Sequence, residues 1–501
     1  MKNKNFISHF LIISGGTFIN MLIGLLTTPI ITRIVDPIDY GQLSIFNVYT
    51  NIATMVLCLG LDQALVRFFY RGDIEYQKKL LHFCVKVPLL LSFLSLSLIS
   101  LFYFLGLINL EFSNFILILL CINILLCILN RFLSLVLRLT YESKKYTLTN
   151  IIQKIIYVVT TLLLVSYTDS NHFNVLAIST VIAALTSSVF IIINIKKYLN
   201  HSSSIIEISK TEIFRYSFPF IFSMGLVTLF QAIDKISLNY FCDYTEVGIY
   251  SSAMSIVNIF AIIQTSFNSL WAPMQVEHYT KNPEDKSFYE KGNSYITIVM
   301  FILGIHIILF KDVLVLLLGE RYRDVVYIIP MLIFNPIMYT ISETTCCGIV
   351  ISKKSYLNIL VSLFSCITNI IGNLILVPYF GGKGAAISTG FSYIIFYLSR
   401  TYISNKNYYV NYHLGKFSIL LALLIGFSLY NTFIDFNFIV IMMYFVIMVI
   451  FALMYRNSII DGIKLIINYL QLDKHLFARK GGENLWEKQN GLYFRKCLNS
   501  H

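Results

Sequence analysis

Apolar residues run through this chain in long blocks separated by short polar loops. A bilayer core of roughly 30 Å needs about 20 apolar residues per helix, so each block predicts one membrane-spanning helix. Six fall near residues 10–31, 43–60, 80–107, 112–137, 147–167 and 173–195. A second six fall near 212–241, 247–271, 293–318, 325–349, 356–378 and 384–403, and a last pair near 415–434 and 436–455. The pattern predicts an all-α integral membrane protein of about 14 transmembrane helices.

The two sets of six repeat one another. Asp36-Pro-Ile-Asp39-Tyr-Gly41 returns as Asp243-Tyr-Thr-Glu246-Val-Gly248 at an offset of 207 residues. Ser143-Lys144-Lys145 returns as Ser352-Lys353-Lys354, and Ala177-Ile-Ser-Thr180 as Ala386-Ile-Ser-Thr389, both at an offset of 209. Three matches in one order at nearly one spacing describe a duplicated lobe, since the period is far longer than a solenoid unit. The expected organisation is an N-lobe over 1–205, a C-lobe over 206–410, an extra hairpin over 411–456 and a cytoplasmic tail over 457–501. The polar, Ser-rich stretch from Tyr198 to Lys210 reads as the linker between lobes. An even number of spans returns the chain to the side it left, so the lobes are parallel repeats about an axis along the membrane normal. Paired lobes of this kind place a transport path between them.

Composition agrees: the chain is 57% hydrophobic and 13% charged, with mean hydropathy +0.72 over 501 residues. A soluble protein would have to show water far more apolar surface than such proteins do. Lys2 and Lys4 precede the first block without a small-residue cleavage site, so it reads as a retained span rather than a signal peptide. The formal charge of +12 comes from short loops, which is a topology signal and excludes a nucleic-acid stripe. With a cytoplasmic N-terminus, inside loops gather Arg67, Arg71, Lys78, Lys79, Arg138, Lys144, Lys145, Lys353, Lys354, Arg400 and others. Outside loops hold only Arg33, Lys311, Arg321, Arg323 and Lys383. Both termini are therefore expected in the cytoplasm. The segment Ile459–Ile467 reads as an interfacial helix, and beyond Gly481 the tail is polar. The nine cysteines lack Cys-x-x-Cys or His spacing, which argues against disulfides and metal alike, and no cofactor is implied. Gly381-Gly-Lys383-Gly384 lacks P-loop spacing, and no His-Glu-x-x-His or Gly-x-Ser-x-Gly occurs, so the chain reads as a transporter, not an enzyme.

Polar residues inside the spans are the candidate chemistry. A basic or acidic side chain at a helix centre costs about 2.5–3.5 kcal/mol on insertion scales, so such residues face a wet cavity or a partner. Asn123, Cys127, Asn130 and Ser134 form a stripe in the fourth span with Arg131 beside it, and Asn150, Gln153, Lys154 and Tyr157 form one in the fifth. The seventh carries Gln231, Asp234 and Lys235; the eleventh carries Asn358, Ser362, Ser365, Asn369 and Asn373. One reading is a hydrated, positively biased cavity for an anionic head group, with Arg131, Lys154 and Lys235 as its charges. The other is interhelical hydrogen bonding, which Ser, Thr and Asn often make in membranes. Lys86 and Arg215 sit where they can snorkel to an interface. Asp234 and Glu343 are candidates for proton coupling, or else members of structural ion pairs.

At its motifs the chain resembles the polysaccharide repeat-unit flippases of the Wzx (O-antigen and capsule) type in the MOP superfamily. The residues that carry the resemblance are Arg33-Ile-Val-Asp-Pro37-Ile-Asp-Tyr40-Gly41, Asp234-Lys235, Val247-Gly-Ile-Tyr250, Trp271-Ala-Pro273 and Gly384-Ala-Ala-Ile-Ser-Thr389. It covers the chain up to about residue 455. The resemblance implies a MATE/MOP-like fold in a bacterial cytoplasmic membrane. It also implies movement of undecaprenyl-diphosphate-linked oligosaccharide to the outer leaflet by alternating access. Expected partners are the lipid-linked oligosaccharide, membrane lipids, and the polymerase and chain-length machinery. The expected cavity set is Arg131, Lys154, Lys235, Asn123, Asn130, Gln153, Gln231 and Asn369. Two departures stand out: Lys235 replaces the family's usual Arg, and Asn174-Val-Leu176 stands where the second repeat has its glycine-rich turn. Two other readings remain at this stage. A MATE-type drug exporter shares the architecture but usually lacks the last two spans. An integral-membrane polymerase would need a large outside loop.

Overall fold

The computed structural model describes residues 2–106, 112–168, 172–200, 209–354 and 356–464. Most of the expected linker and tail, including 201–208 and everything from 465, lies outside the described residues. The first six blocks are met by α1 (Lys2–Ile34), α2 (Pro37–Leu57) continued by α3 (Leu61–Phe68), α4 (Ile74–Phe104), α5 (Asn114–Leu139), α6 (Ser143–Val165) and α7 (His172–Asn194). A short α8 (Lys196–Leu199) follows, and then α9 (Lys210–Phe241), α10 (Tyr244–Val257), α11 (Ala261–Lys281), α12 (Ser287–Leu309) and α13 (Lys311–Val315). The next block is broken into a 3-10 segment Glu320–Tyr327, α14 (Ile329–Leu332), α15 (Phe334–Thr345) and α16 (Cys347–Ile351). The run α17 (Leu357–Asn407) holds two blocks, and α18 (Leu414–Phe433) with α19 (Phe438–Met454) forms the last pair.

All fourteen predicted blocks fall on helices. Among the described residues eight helices are long and apolar enough to cross a membrane, or eleven when each bent pair counts as one span. Several blocks fail that test singly because they are interrupted. The break between α2 and α3 bends by 55° at Gly60, whose φ of +69° suits glycine. At Gly381 (φ +52°) α17 folds back on itself, so that Ser365 Oγ donates to Ser392 O at 3.0 Å and Ser388 Oγ to Asn369 O at 2.8 Å. Outward-facing side chains such as Phe93 (68% exposed), Phe222 (66%) and Leu453 (70%) require an apolar surrounding.

The helices group into two compact units. One comprises residues 1–263, 312–332 and 362–392; the other comprises 264–311, 333–361 and 393–501. In the first unit, α2 crosses α10, and the repeated motif supplies the crossing. A methyl group on Gly41 would stand 1.8 Å from Tyr244 O, and one on Gly248 2.0 Å from Pro37 O. Ser44 Oγ and Ser251 Oγ, 207 positions apart, share a hydrogen bond of 2.7 Å. Gly41 and Gly248, and Ser44 and Ser251, thus each lie against their own repeat counterpart.

The acids of the motif have matching jobs. Asp39 Oδ1 accepts from Phe173 N (3.2 Å) at the start of α7, and Glu246 Oε2 accepts from Gly382 N (2.7 Å) just past the Gly381 break of α17. Phe173 and Gly382 stand 209 positions apart, the offset of the other repeats. Orphan amide groups at a helix start favour a carboxylate, so the second acid of Asp-x-x-acid-x-Gly serves a neighbouring helix. This role survives although Asn174-Val-Leu176 replaces the glycine-rich turn.

In the second unit, Trp271 stacks between Phe267 (5.6 Å) and Phe288 (5.2 Å), above Gly292, and its Nε1 donates to Glu343 O at 3.1 Å. The terminal pair packs on α12 through a Phe301–Phe451 stack (4.9 Å) and a His306–Tyr444 hydrogen bond (3.1 Å). Lys311, which the charge pattern assigns to a loop, is 1% exposed and donates its ammonium to Asn431 O near the end of α18. A cation there complements the helix C-terminus.

Candidate functional site

The two polar stripes of the fourth and fifth spans come together. A cavity of about 240 Å³ in the first unit is lined by Asn51 and Thr54 of α2, Cys127, Asn130, Arg131 and Ser134 of α5, Thr149, Asn150 and Gln153 of α6, and Ser187 and Ile191 of α7. Asn130 is locked in place: its Nδ2 donates to Ala184 O and Ser187 Oγ, both at 3.0 Å, and its Oδ1 accepts from Ser188 Oγ at 2.8 Å.

Arg131 is not a free cation. Its Nη2 and Nε donate to Asp62 Oδ2 at 2.7 and 3.0 Å, and Gln63 Nε2 donates to the same oxygen at 3.1 Å. Asp62 lies on α3, just past the Gly60 bend, in what the apolar pattern reads as the loop after the second span. A carboxylate two residues from the end of an apolar block was the available signal for it. Its side chain is 4% exposed against 33% for Arg131. Removing the arginine therefore strands the more deeply buried charge. Arg131→Gln is expected to cost up to about 3–5 kcal/mol, the range for breaking a buried pair. Asp62→Asn should cost less because Arg131 keeps solvent contact, and the double variant should cost less than Arg131→Gln alone. Thermal unfolding of the purified proteins checks this order; additive losses would show that the two side chains act independently.

A second constellation surrounds Asp234, which is 5% exposed. Its Oδ2 accepts from Tyr250 OH (2.6 Å) and Thr389 Oγ1 (2.7 Å), and its Oδ1 from Asn369 Nδ2 (3.0 Å) and Asn373 Nδ2 (2.7 Å). The expected Asp234 and Asn369 are thus joined. The motif residues Tyr250 and Thr389 belong to the same cluster; in the sequence they stand out only as part of the family resemblance and, for Thr389, of the repeat. All four donors are neutral. Rotation of the Asn369 and Asn373 amides would present further oxygens to a cation. Among the described residues no group of three or more His, Cys, Asp or Glu side chains is placed to hold a metal ion.

Glu343 is different, because it has a charged partner. Arg400 Nη1 donates to Glu343 Oε1 at 2.7 Å and to Ser342 Oγ at 2.9 Å. Arg400, assigned to a loop by the charge pattern, is 8% exposed within α17. The remaining expected residues are dispersed. Asn123 is buried and donates to Thr50 Oγ1 at 3.2 Å, a helix-to-helix contact between α5 and α2. Lys154 directs its ammonium to Asn20 O of α1 at 2.5 Å. Lys235 is half-buried and has no hydrogen bond or salt bridge among the described residues, while Gln231, one turn earlier on α9, is exposed.

These helices and their repeat define the class: an all-helical, multi-pass membrane protein with the fold of the MOP-superfamily transporters. Among solved structures the chain is similar to the lipid II flippase MurJ in an inward closed conformation, at 15% identity and a TM-score of 0.62 over 90% of this chain and 100% of that one. It is also similar to a multidrug resistance MATE transporter of the MOP superfamily in an inward-facing conformation, at 15% identity and a TM-score of 0.58 over 78% and 94% of the two chains. A family model described as polysaccharide biosynthesis protein matches residues 6–278. The chain belongs to that family. A curated relative, an uncharacterized membrane protein of Methanocaldococcus jannaschii, is 28% identical over 178 residues, which is 35% of each chain; the chain spans about a third of the length of the curated relative it matches.

Proposed function

We propose that this protein is a transporter that moves an oligosaccharide repeat unit, linked by a diphosphate to undecaprenyl, from the inner to the outer leaflet of a bacterial cytoplasmic membrane, with both termini cytoplasmic. The unit would feed O-antigen or capsule synthesis, beside the polymerase and chain-length machinery. Alternating access between the lobes 1–205 and 206–410 supplies the path, and the hairpin 411–456 gives the long lipid tail a groove.

The observation that carries this reading is the cavity of amides and hydroxyls inside a membrane-embedded bundle. Its one charged lining group already has a carboxylate partner. Sugars are recognised by such neutral donors and acceptors, and membership in a polysaccharide biosynthesis family points the same way. A MATE-type export of cationic drugs is the second reading, and it is disfavoured because no free carboxylate lines the cavity. For the diphosphate we assign Lys235, with Gln231 on the same face, since its ammonium makes no hydrogen bond or salt bridge among the described residues. For ion coupling we assign Asp234 rather than Glu343, because the arginine already neutralises Glu343.

The test is translocation in proteoliposomes of a lipid-linked oligosaccharide read by lectin accessibility, alongside uptake of a cationic dye. Sugar-lipid translocation without dye transport is expected, and Lys235→Gln should lower it at least tenfold at normal protein abundance. Dye transport with no sugar-lipid movement would replace this reading by the exporter.

A further inference from the structure

The polar cavity has the size and the lining of a site for one sugar ring, and its charge state says which kind. At about 240 Å³ it falls below the roughly 300–1,000 Å³ of pockets for drug-sized ligands. Three carboxamides that line it, Asn51, Asn150 and Gln153, make no hydrogen bond among the described residues. Each offers a carbonyl and an NH2 group, the pairing that matches adjacent hydroxyls on a pyranose. Thr54, 7% exposed, has its Oγ1 buried there without a hydrogen-bond partner among the described residues. A buried polar atom of that kind calls for a polar occupant.

Arg131 decides against an anion. It lines the cavity, spends Nε and Nη2 on Asp62, and its Nη1 makes no hydrogen bond among the described residues. A phosphate entering here would either compete with Asp62 for the guanidinium or sit beside a nearly buried carboxylate. Both are unfavourable, because the carboxylate cannot be solvated if its partner leaves. A neutral hydroxyl can take the Nη1 donor and leave the ion pair whole.

We propose that the cavity between α2, α5, α6 and α7 is a subsite for a single uncharged monosaccharide unit and excludes the diphosphate. This rests on the flippase reading for the source of the sugar, a unit of the lipid-linked oligosaccharide rather than a free glycoside.

The binding test uses the purified full chain and saturation-transfer NMR with the methyl glycosides of a neutral hexose, an N-acetylhexosamine and a hexuronate, and with pyrophosphate as competitor. The neutral glycosides should give a signal, the hexuronate at least tenfold less, and pyrophosphate should not displace them. Gln153→Leu should reduce the signal at least tenfold with the thermal midpoint retained; Asn51→Phe, at an exposed position, repeats the test should Gln153→Leu fold poorly. Displacement by pyrophosphate, or an unchanged signal in a folded variant, overturns the proposal. Proteoliposome translocation separates the two sources and the two readings. A tenfold loss of lipid-linked translocation in Gln153→Leu, with no uptake of free glycoside by either protein, supports the lipid-linked source. Glycoside binding without lipid-linked translocation by the wild type overturns the flippase reading and keeps the subsite. Translocation that is normal in Gln153→Leu, with no glycoside binding to the wild type, does the reverse.

Discussion

Gly41→Ala and Gly248→Ala should each remove most of the folded, transport-competent protein. In both cases the new methyl group would lie within about 2 Å of a backbone carbonyl oxygen on the facing helix, closer than any rotamer change can relieve. Overpacking commonly costs about 1–3 kcal/mol when side chains can shift. Here backbone faces backbone, so about 3 kcal/mol or more is expected. The helices α2 and α10 would have to separate and break the Ser44–Ser251 contact as well. Ser44→Ala, which loses one hydrogen bond and adds no bulk, should cost only about 0.5–1.5 kcal/mol. Gly426→Ala is the control, because nothing lies within 4 Å of the added methyl, and alanine favours a helix by up to about 1 kcal/mol. Size-exclusion profiles and thermal midpoints of detergent-solubilised variants measure the series. A Gly41→Ala protein as stable as Gly426→Ala would mean that α2 and α10 do not cross this closely.

Much of this architecture was legible because two signals are local. Long apolar blocks give the spans, and the motif Asp-x-x-acid-x-Gly repeats at one offset. That motif turned out to mark the place where the repeats touch, with glycine chosen for close approach and the second acid for a neighbouring helix start. What the sequence hides is direction. Stripes on α5 and α6 told which residues share a face, and the structure gathers Asn130, Arg131 and Gln153 at one cavity. Periodicity within one helix says nothing about what faces that stripe from another. So Asp62 went unnoticed as the partner of Arg131, and Lys154 points to an α1 carbonyl. Arg400 and Lys311 fail for a related reason. Each falls inside an apolar block, 384–403 and 293–318, yet the charge pattern counts it in a loop; one pairs with Glu343 and the other meets the end of α18.

Asp234→Asn should abolish ion-dependent transport while leaving a folded protein. The carboxylate accepts four hydrogen bonds from neutral groups and forms no salt bridge among the described residues. The asparagine keeps the shape and one acceptor, so Tyr250 and Thr389 can still donate. Its NH2 group would confront the NH2 groups of Asn369 and Asn373, and those amides can turn to present their oxygens. The expected stability loss is therefore modest, about 1–2 kcal/mol. Asp234→Leu offers no acceptor and strands four buried donors, at about 1–3 kcal/mol for each that finds no other partner. It should fail to fold. The difference between the two variants separates cage packing from charge. A bound alkali cation stabilises the wild type by mass action, so its thermal midpoint should rise with the coupling ion. Asp234→Asn should not respond to that ion. Midpoints in sodium, potassium and choline chloride, read with translocation under an imposed gradient, test this directly. If Asp234→Asn translocates normally and keeps the wild-type response, the cage is a packing device and coupling must lie elsewhere.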